Sequence, residues 1–166
     1  MNEKYFSFTD TNFLVKSAVV AALYAVLTIF MPVASYGPIQ FRFSEILVLL
    51  VFYNKRFIPG LLLGCALANF MSPMAAFDVV FGTLASFIAF KLMEKANNLF
   101  IASLFPVLLM IVPALGTWFI LANNKALLVM IFQFMLSEFV MVSIIGVGIF
   151  KILEKNQGFM SYINNF

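Results

Sequence analysis

Away from the lysine-rich side of the chain, three carboxylates and one arginine stand in or at the edges of long apolar runs. Arg42 and Glu45 open one run, Asp78 opens another, and Glu138 lies inside a third, eleven residues past Leu127. As helix, that puts Glu138 roughly 16 Å along its span. A carboxylate at such depth costs about 2.5 kcal/mol or more on insertion scales, so it is paired or it lines a cavity. An ion pair of Arg42 with one acid would merely fasten helices, and it leaves the remaining carboxylates without a cation. Those can hold a proton, bind a cation or accept hydrogen bonds from a polar ligand. Gln40, Asn69 and Gln133 add amides at similar depth, and Ser137 shares a helical face with Gln133. Tyr36, Phe41, Phe77 and Trp118 lie at a depth from which they could stack on a flat ring, although Trp118 could equally be an interfacial belt residue. The candidate binding set is therefore Gln40, Arg42, Glu45, Asn69, Asp78, Trp118, Gln133 and Glu138.

Other chemistry is excluded by what the chain lacks. It has no histidine and a single cysteine, Cys65, so imidazole catalysis, zinc and haem ligation through histidine and an internal disulfide are impossible. No GxxxxGK[ST] phosphate loop occurs, and Gly146-Val147-Gly148 sits within an apolar run where helix packing is the ordinary role. The chain cannot hydrolyse ATP by itself. No nucleophile stands beside a base and no metal constellation is present, so the reading is of a protein that is not an enzyme.

The elements that must position these residues are membrane helices. Of 166 residues, 64% are hydrophobic and 10% charged, with a mean hydropathy of +1.06. Soluble domains carry about 25% charged residues, so this composition cannot build a water-facing surface. A helix needs about 20 apolar residues to cross the hydrocarbon core. The hydropathy pattern predicts an all-α membrane protein with six spans: 17–34, 43–53, 57–71, 76–90, 99–121 and 127–150. The first is read as retained rather than cleaved, because it is long for a signal h-region and five more follow. The second and third are short, about 16 and 22 Å, which implies chain dipping into the membrane nearby. The Gly-Pro turn in 35–40 and the Ser72-Pro73-Met74 stretch are the candidates. Pro106 and Pro113 inside the fifth span either bend it around a cavity or are tolerated kinks.

Charge sets the orientation. Lys4, Lys16, Lys55, Arg56, Lys91, Lys95, Lys151 and Lys155 fall on one side of the six spans, and Arg42 and Lys125 on the other. The positive-inside rule then places both termini in the cytoplasm, with residues 1–15 as an arm, 16–155 as the membrane domain and 156–166 as a tail. The net charge of +3 reflects this topology; with no basic cluster longer than Lys55-Arg56, nucleic acid is not a partner.

Two runs of small residues allow close helix approach: Gly60, Gly64 and Ala68 on the third span, and on the first Ser17, Ala21 and Ala25 beside Ala18 and Ala22. The third-span stripe suits internal packing; the first span has enough small surface for an external partner as well.

Six short spans, an alanine stripe on the first and a polar cluster facing outward resemble the substrate-binding S components of energy-coupling factor (ECF) transporters. Within these, three blocks look like the QueT family: 37–45 (Gly-Pro-Ile-Gln-Phe-Arg-Phe-Ser-Glu), 60–69 (Gly-Leu-Leu-Leu-Gly-Cys-Ala-Leu-Ala-Asn) and 78–85 (Asp-Val-Val-Phe-Gly-Thr-Leu-Ala). The resemblance implies a prokaryotic plasma-membrane subunit that binds a queuosine precursor. It also implies a membrane T component docking on Ala18, Ala21, Ala22 and Ala25, two ATPase subunits that use ATP, and no cofactor in this chain. A 7-deazaguanine fits the cluster: its ring N–H and amine donors suit carboxylates, its carbonyl suits an amide or Arg42, and its aminomethyl form adds a cation. One of Glu45, Asp78 and Glu138 then reads the guanine-like edge and another pairs with the ammonium.

Other readings stay open on the residues alone. The same groups could serve an S component for another flat or cationic nutrient. The chain could also be a cation-coupled permease dimerising through Gly60 and Gly64, or a membrane scaffold whose acids pair internally.

Overall fold

The computed structural model describes residues 10–36, 40–120 and 127–165. Lys4, the Gly-Pro turn at 37–38 and Lys125 lie outside the described residues. Among the described residues the chain is helical throughout, with no strand.

Helix α1 spans Thr11–Ile29, beginning earlier than the hydropathy predicts, because the Asp10 side chain caps it by accepting from the N–H groups of Asn12 and Phe13 at 3.0 and 3.3 Å. It stops at Ile29 rather than running to Ala34. Pro32 has no N–H to continue the ladder, and instead it opens a separate short helix, α2, Pro32–Tyr36. Helix α3, Phe43–Tyr53, is wound as 3-10 helix over Phe43–Leu49. That winding rises about 2.0 Å per residue and stretches α3 to about 20 Å. The Asn54 side chain then accepts from Arg56 N at 3.0 Å and starts the turn into α4, Ile58–Phe70.

Among the described residues, four helices are long and apolar enough to cross a membrane: α1, α5 (Ala75–Met93), α6 (Leu99–Ile120) and α7 (Leu127–Leu153). Helices α3 and α4 are shorter. Helix α5 contains a π-helical turn at Asp78–Gly82 and α7 a longer one at Phe139–Gly146, irregularities that hydropathy does not register. Helix α6 is interrupted at Met110, between its two prolines. Last comes α8, Gln157–Asn164, capped by Asn156, so the tail is a helix with Ile163 buried.

Helices α1 and α4 touch backbone to backbone. A Cβ added at Gly60 would lie 2.7 Å from Ser17 O, and one at Gly64 would lie 2.8 Å from Ala21 O. Both glycines are thus used inside the chain, which removes the face through which a Gly60 and Gly64 homodimer would form. Around this seam a core of Tyr24, Leu49, Phe57, Leu61, Phe90, Met93 and Val142 is sealed from solvent. Outward, Leu63, Phe70, Phe119, Leu128, Phe132 and Ile152 are exposed, the apolar coat that a lipid-embedded bundle presents.

Polar contacts collect at one end. Lys16 donates to Asn165 O at 2.8 Å, Asn54 to Ile163 O at 2.9 Å and Tyr53 to Glu154 at 2.8 Å, while Arg56 pairs with Asp10 at 3.3 Å. The start of α1, the α3–α4 turn, the end of α7 and α8 therefore share this end. Since α3 runs toward it and α5 starts away from it, Arg42, Asn69 and Asp78 belong to the opposite end.

Candidate functional site

At that opposite end, α3, α4, α5, α6 and α7 enclose a cavity of about 570 Å³, counted out to its open mouth. Of the expected binding set, Gln40, Arg42, Glu45, Asn69, Asp78 and Glu138 all line it. Sequence separations of up to 98 residues are closed by the packing of α4 between α1 and α5, which brings the ends of α3, α4 and α5 around the middle of α7.

Each charged group has a different setting. Arg42, just ahead of α3, is buried, donates from Nε to Ser35 O at 3.2 Å and from Nη1 to Asn69 Oδ1 at 3.0 Å, and lies over the Tyr36 ring at 5.6 Å. Tyr36 is held in turn by its hydroxyl donating to Ala68 O at 2.6 Å. Glu45, in the first turn of α3, accepts the Tyr24 hydroxyl, and Asp78, in the first turn of α5, accepts the Ser72 hydroxyl. Glu138 is 2% exposed, and its Oε1 has no hydrogen-bond partner. The ion pair that could have fastened Arg42 to an acid is not formed: no ion pair within 4.0 Å joins these groups among the described residues.

Asn69 ties the wall together. Its Nδ2 donates to the Asp78 carbonyl at 3.0 Å and to Cys65 Sγ at 3.3 Å, and Cys65 Sγ lies 3.5 Å from Ser86 Oγ. Gly82 makes room for that amide, since a Cβ there would sit 2.8 Å from Asn69 Nδ2.

Two members of the expected set stay outside. Gln133 does not line the cavity, and helical arithmetic gives the reason: it lies five residues before Glu138, about 140° around the helix, whereas Phe134 at four residues shares the Glu138 face and does line it. Trp118 is also absent from the lining, and Phe77 is stacked on Phe81 at 4.4 Å and packed against Gly116. The aromatic walls are Phe134 and Phe90, both hidden among 22 phenylalanines. Cys65, Gly82, Ser86 and the two prolines, Pro106 and Pro113, also line the cavity. Cys65 could have been found from its four-residue spacing to Asn69.

The alanines of α1 divide. Ala21 and Ala25 are buried within the chain, Ala21 against Gly64, so of the four alanines expected to face a partner only Ala18 and Ala22 are exposed.

A cavity with this lining suits a small ligand rich in hydrogen-bond donors. The profile described as QueT transporter matches residues 14–155. The chain belongs to the QueT transporter family. That makes it a multi-pass membrane protein of a transporter family rather than an enzyme. This QueT-family chain is 42% identical over 86 residues to the Queuosine precursor transporter QueT of Lactococcus lactis subsp. cremoris (strain MG1363). The match covers 51% of this chain and 50% of that relative, so it spans about half of each. No solved structure matches the chain.

Proposed function

We propose that this chain is the substrate-binding S component of an ECF importer and that it takes a queuosine precursor of the 7-deazaguanine type into the cavity between α3 and α7. The observation that carries this reading is the lining itself: three buried carboxylates, one arginine and two amides around one cavity. A deazaguanine offers ring N–H and amine donors to the carboxylates and a carbonyl to Arg42 or an amide, and each buried donor left unmet would cost about 1–3 kcal/mol. The name of the Lactococcus relative supports the same ligand class.

In this reading α3 and α4 are two short spans that complete six, and the lysine-rich end is cytoplasmic together with both termini. The cavity then opens outward, in the plasma membrane of a prokaryote. A T component and two ATPase subunits couple ATP to uptake, with Ala18 and Ala22 on the face of α1 open to the T component. The chain itself carries no cofactor.

Equilibrium binding of 7-aminomethyl-7-deazaguanine to the purified chain in detergent tests the proposal, with 7-cyano-7-deazaguanine, guanine and queuine alongside. Submicromolar binding without partner subunits is expected. Failure of a folded chain to bind any of the four removes the substrate assignment.

A further inference from the structure

Building on that proposed function, we infer that Glu138 is the carboxylate that pairs with a cationic group on the ligand, and so sets a preference for an amine-bearing over a neutral deazaguanine. The three acids are not equivalent. Glu45 and Asp78 each lie in the first turn of a helix, where unpaired backbone N–H groups favour negative charge. Each also has a hydroxyl donating to it, from Tyr24 and Ser72 respectively. Each is thus already hydrogen-bonded within the chain, which leaves its remaining acceptor capacity to read neutral N–H donors of a ring.

Glu138 has neither form of support. It lies in the middle of α7, where the backbone N–H groups belong to the helix, and its Oε1 is without a partner although the residue lines the cavity. The charged groups whose fields reach it are Arg42 and Glu45. Arg42 forms no ion pair with it, being directed to Ser35 and Asn69, and Glu45 repels it. A buried carboxylate so placed lacks a cation, and the open cavity is where one can arrive. An ammonium on the ligand supplies the charge and the hydrogen bonds together. A nitrile in the same position supplies neither.

The test is calorimetric titration of the full chain in detergent with 7-aminomethyl-7-deazaguanine and with 7-cyano-7-deazaguanine, on wild type, Glu138→Gln, Glu138→Asp and Glu45→Gln. The wild type should prefer the amine by tenfold or more. Glu138→Gln should weaken the amine by about thirtyfold or more, the scale expected for truncating one partner of a buried charge pair, and move the nitrile by less than about threefold. Glu138→Asp keeps the charge and should keep the preference for the amine, which guards against misreading a folding defect in the first variant. Glu45→Gln should weaken both ligands alike. Equal loss of both ligands in Glu138→Gln, or no loss of the amine, overturns the inference and leaves the proposed function standing. A wild type that binds neither ligand overturns both.

Discussion

Arg42 is held by Asn69: Nη1 of the arginine donates to Oδ1 of the amide at 3.0 Å, while Nδ2 of the same amide donates to the Asp78 carbonyl at 3.0 Å. One side chain on α4 thereby fixes the entry to α3 and the first turn of α5. The arrangement needs an amide, because it must accept from a guanidinium and donate to a carbonyl at once. It also needs Gly82, whose missing Cβ leaves the space the amide occupies.

Asn69→Leu should therefore cost about 1–3 kcal/mol of stability through the buried groups it strands, and lower affinity for 7-aminomethyl-7-deazaguanine by tenfold or more. Thermal unfolding in detergent and calorimetric titration read the two effects. Affinity unchanged in a folded Asn69→Leu would mean that the position of Arg42 does not matter to the ligand.

Gly82→Ala tests the same contact from the other side. The new Cβ would press on Asn69 Nδ2 at 2.8 Å, and the amide is pinned by three hydrogen bonds. Weaker binding, with a smaller loss of stability than in Asn69→Leu, is expected from the same two measurements. A variant that binds as the wild type does would show that the amide can move aside freely.

Much of this was legible in the residue order. Composition alone dictates membrane helices, and the intramembrane charges mark Arg42, Glu45, Asp78 and Glu138, all of which line one cavity. What the sequence conceals is rotation about a helix. The π turns at Asp78–Gly82 and Phe139–Gly146 change the angular phase within α5 and α7, and nothing in the apolar runs marks them. Phase is also why Gln133 misses the cavity and Phe134 reaches it, although the two are neighbours. Helix ends fared differently: Asp10 and Pro32 carry capping and breaking signals that fix α1 more sharply than hydropathy does.

Phe134, with Phe90, lines the cavity, and Trp118 does not. Phe134→Ala should weaken 7-aminomethyl-7-deazaguanine by tenfold or more, since stacking of a base on an aromatic ring contributes about 1–3 kcal/mol. Trp118→Ala should have a smaller effect, because Trp118 does not line the cavity. Tryptophan fluorescence of the wild type should change little on binding for the same reason. A reversed order of the two variants in a titration would move the ligand out of this cavity.

The seam between α1 and α4 makes a prediction about assembly rather than binding. Gly64→Ala puts a Cβ 2.7 Å from Tyr24 Cβ and 2.8 Å from Ala21 O, and neither a helix backbone nor a Cβ can swing away, so the helices must separate. A loss of about 1–3 kcal/mol is expected, as for other over-packed cores, and should appear as a lower unfolding temperature. Ala22→Leu lies on the exposed face of the same helix and should leave that temperature unchanged. If Ala18 and Ala22 face a T component as proposed, Ala22→Leu should instead reduce co-purification with an ECF module while ligand binding by the isolated chain persists. The two variants thus separate the inner face of α1 from the outer one. Loss of stability in Ala22→Leu, or full retention of it in Gly64→Ala, would reverse that assignment of faces.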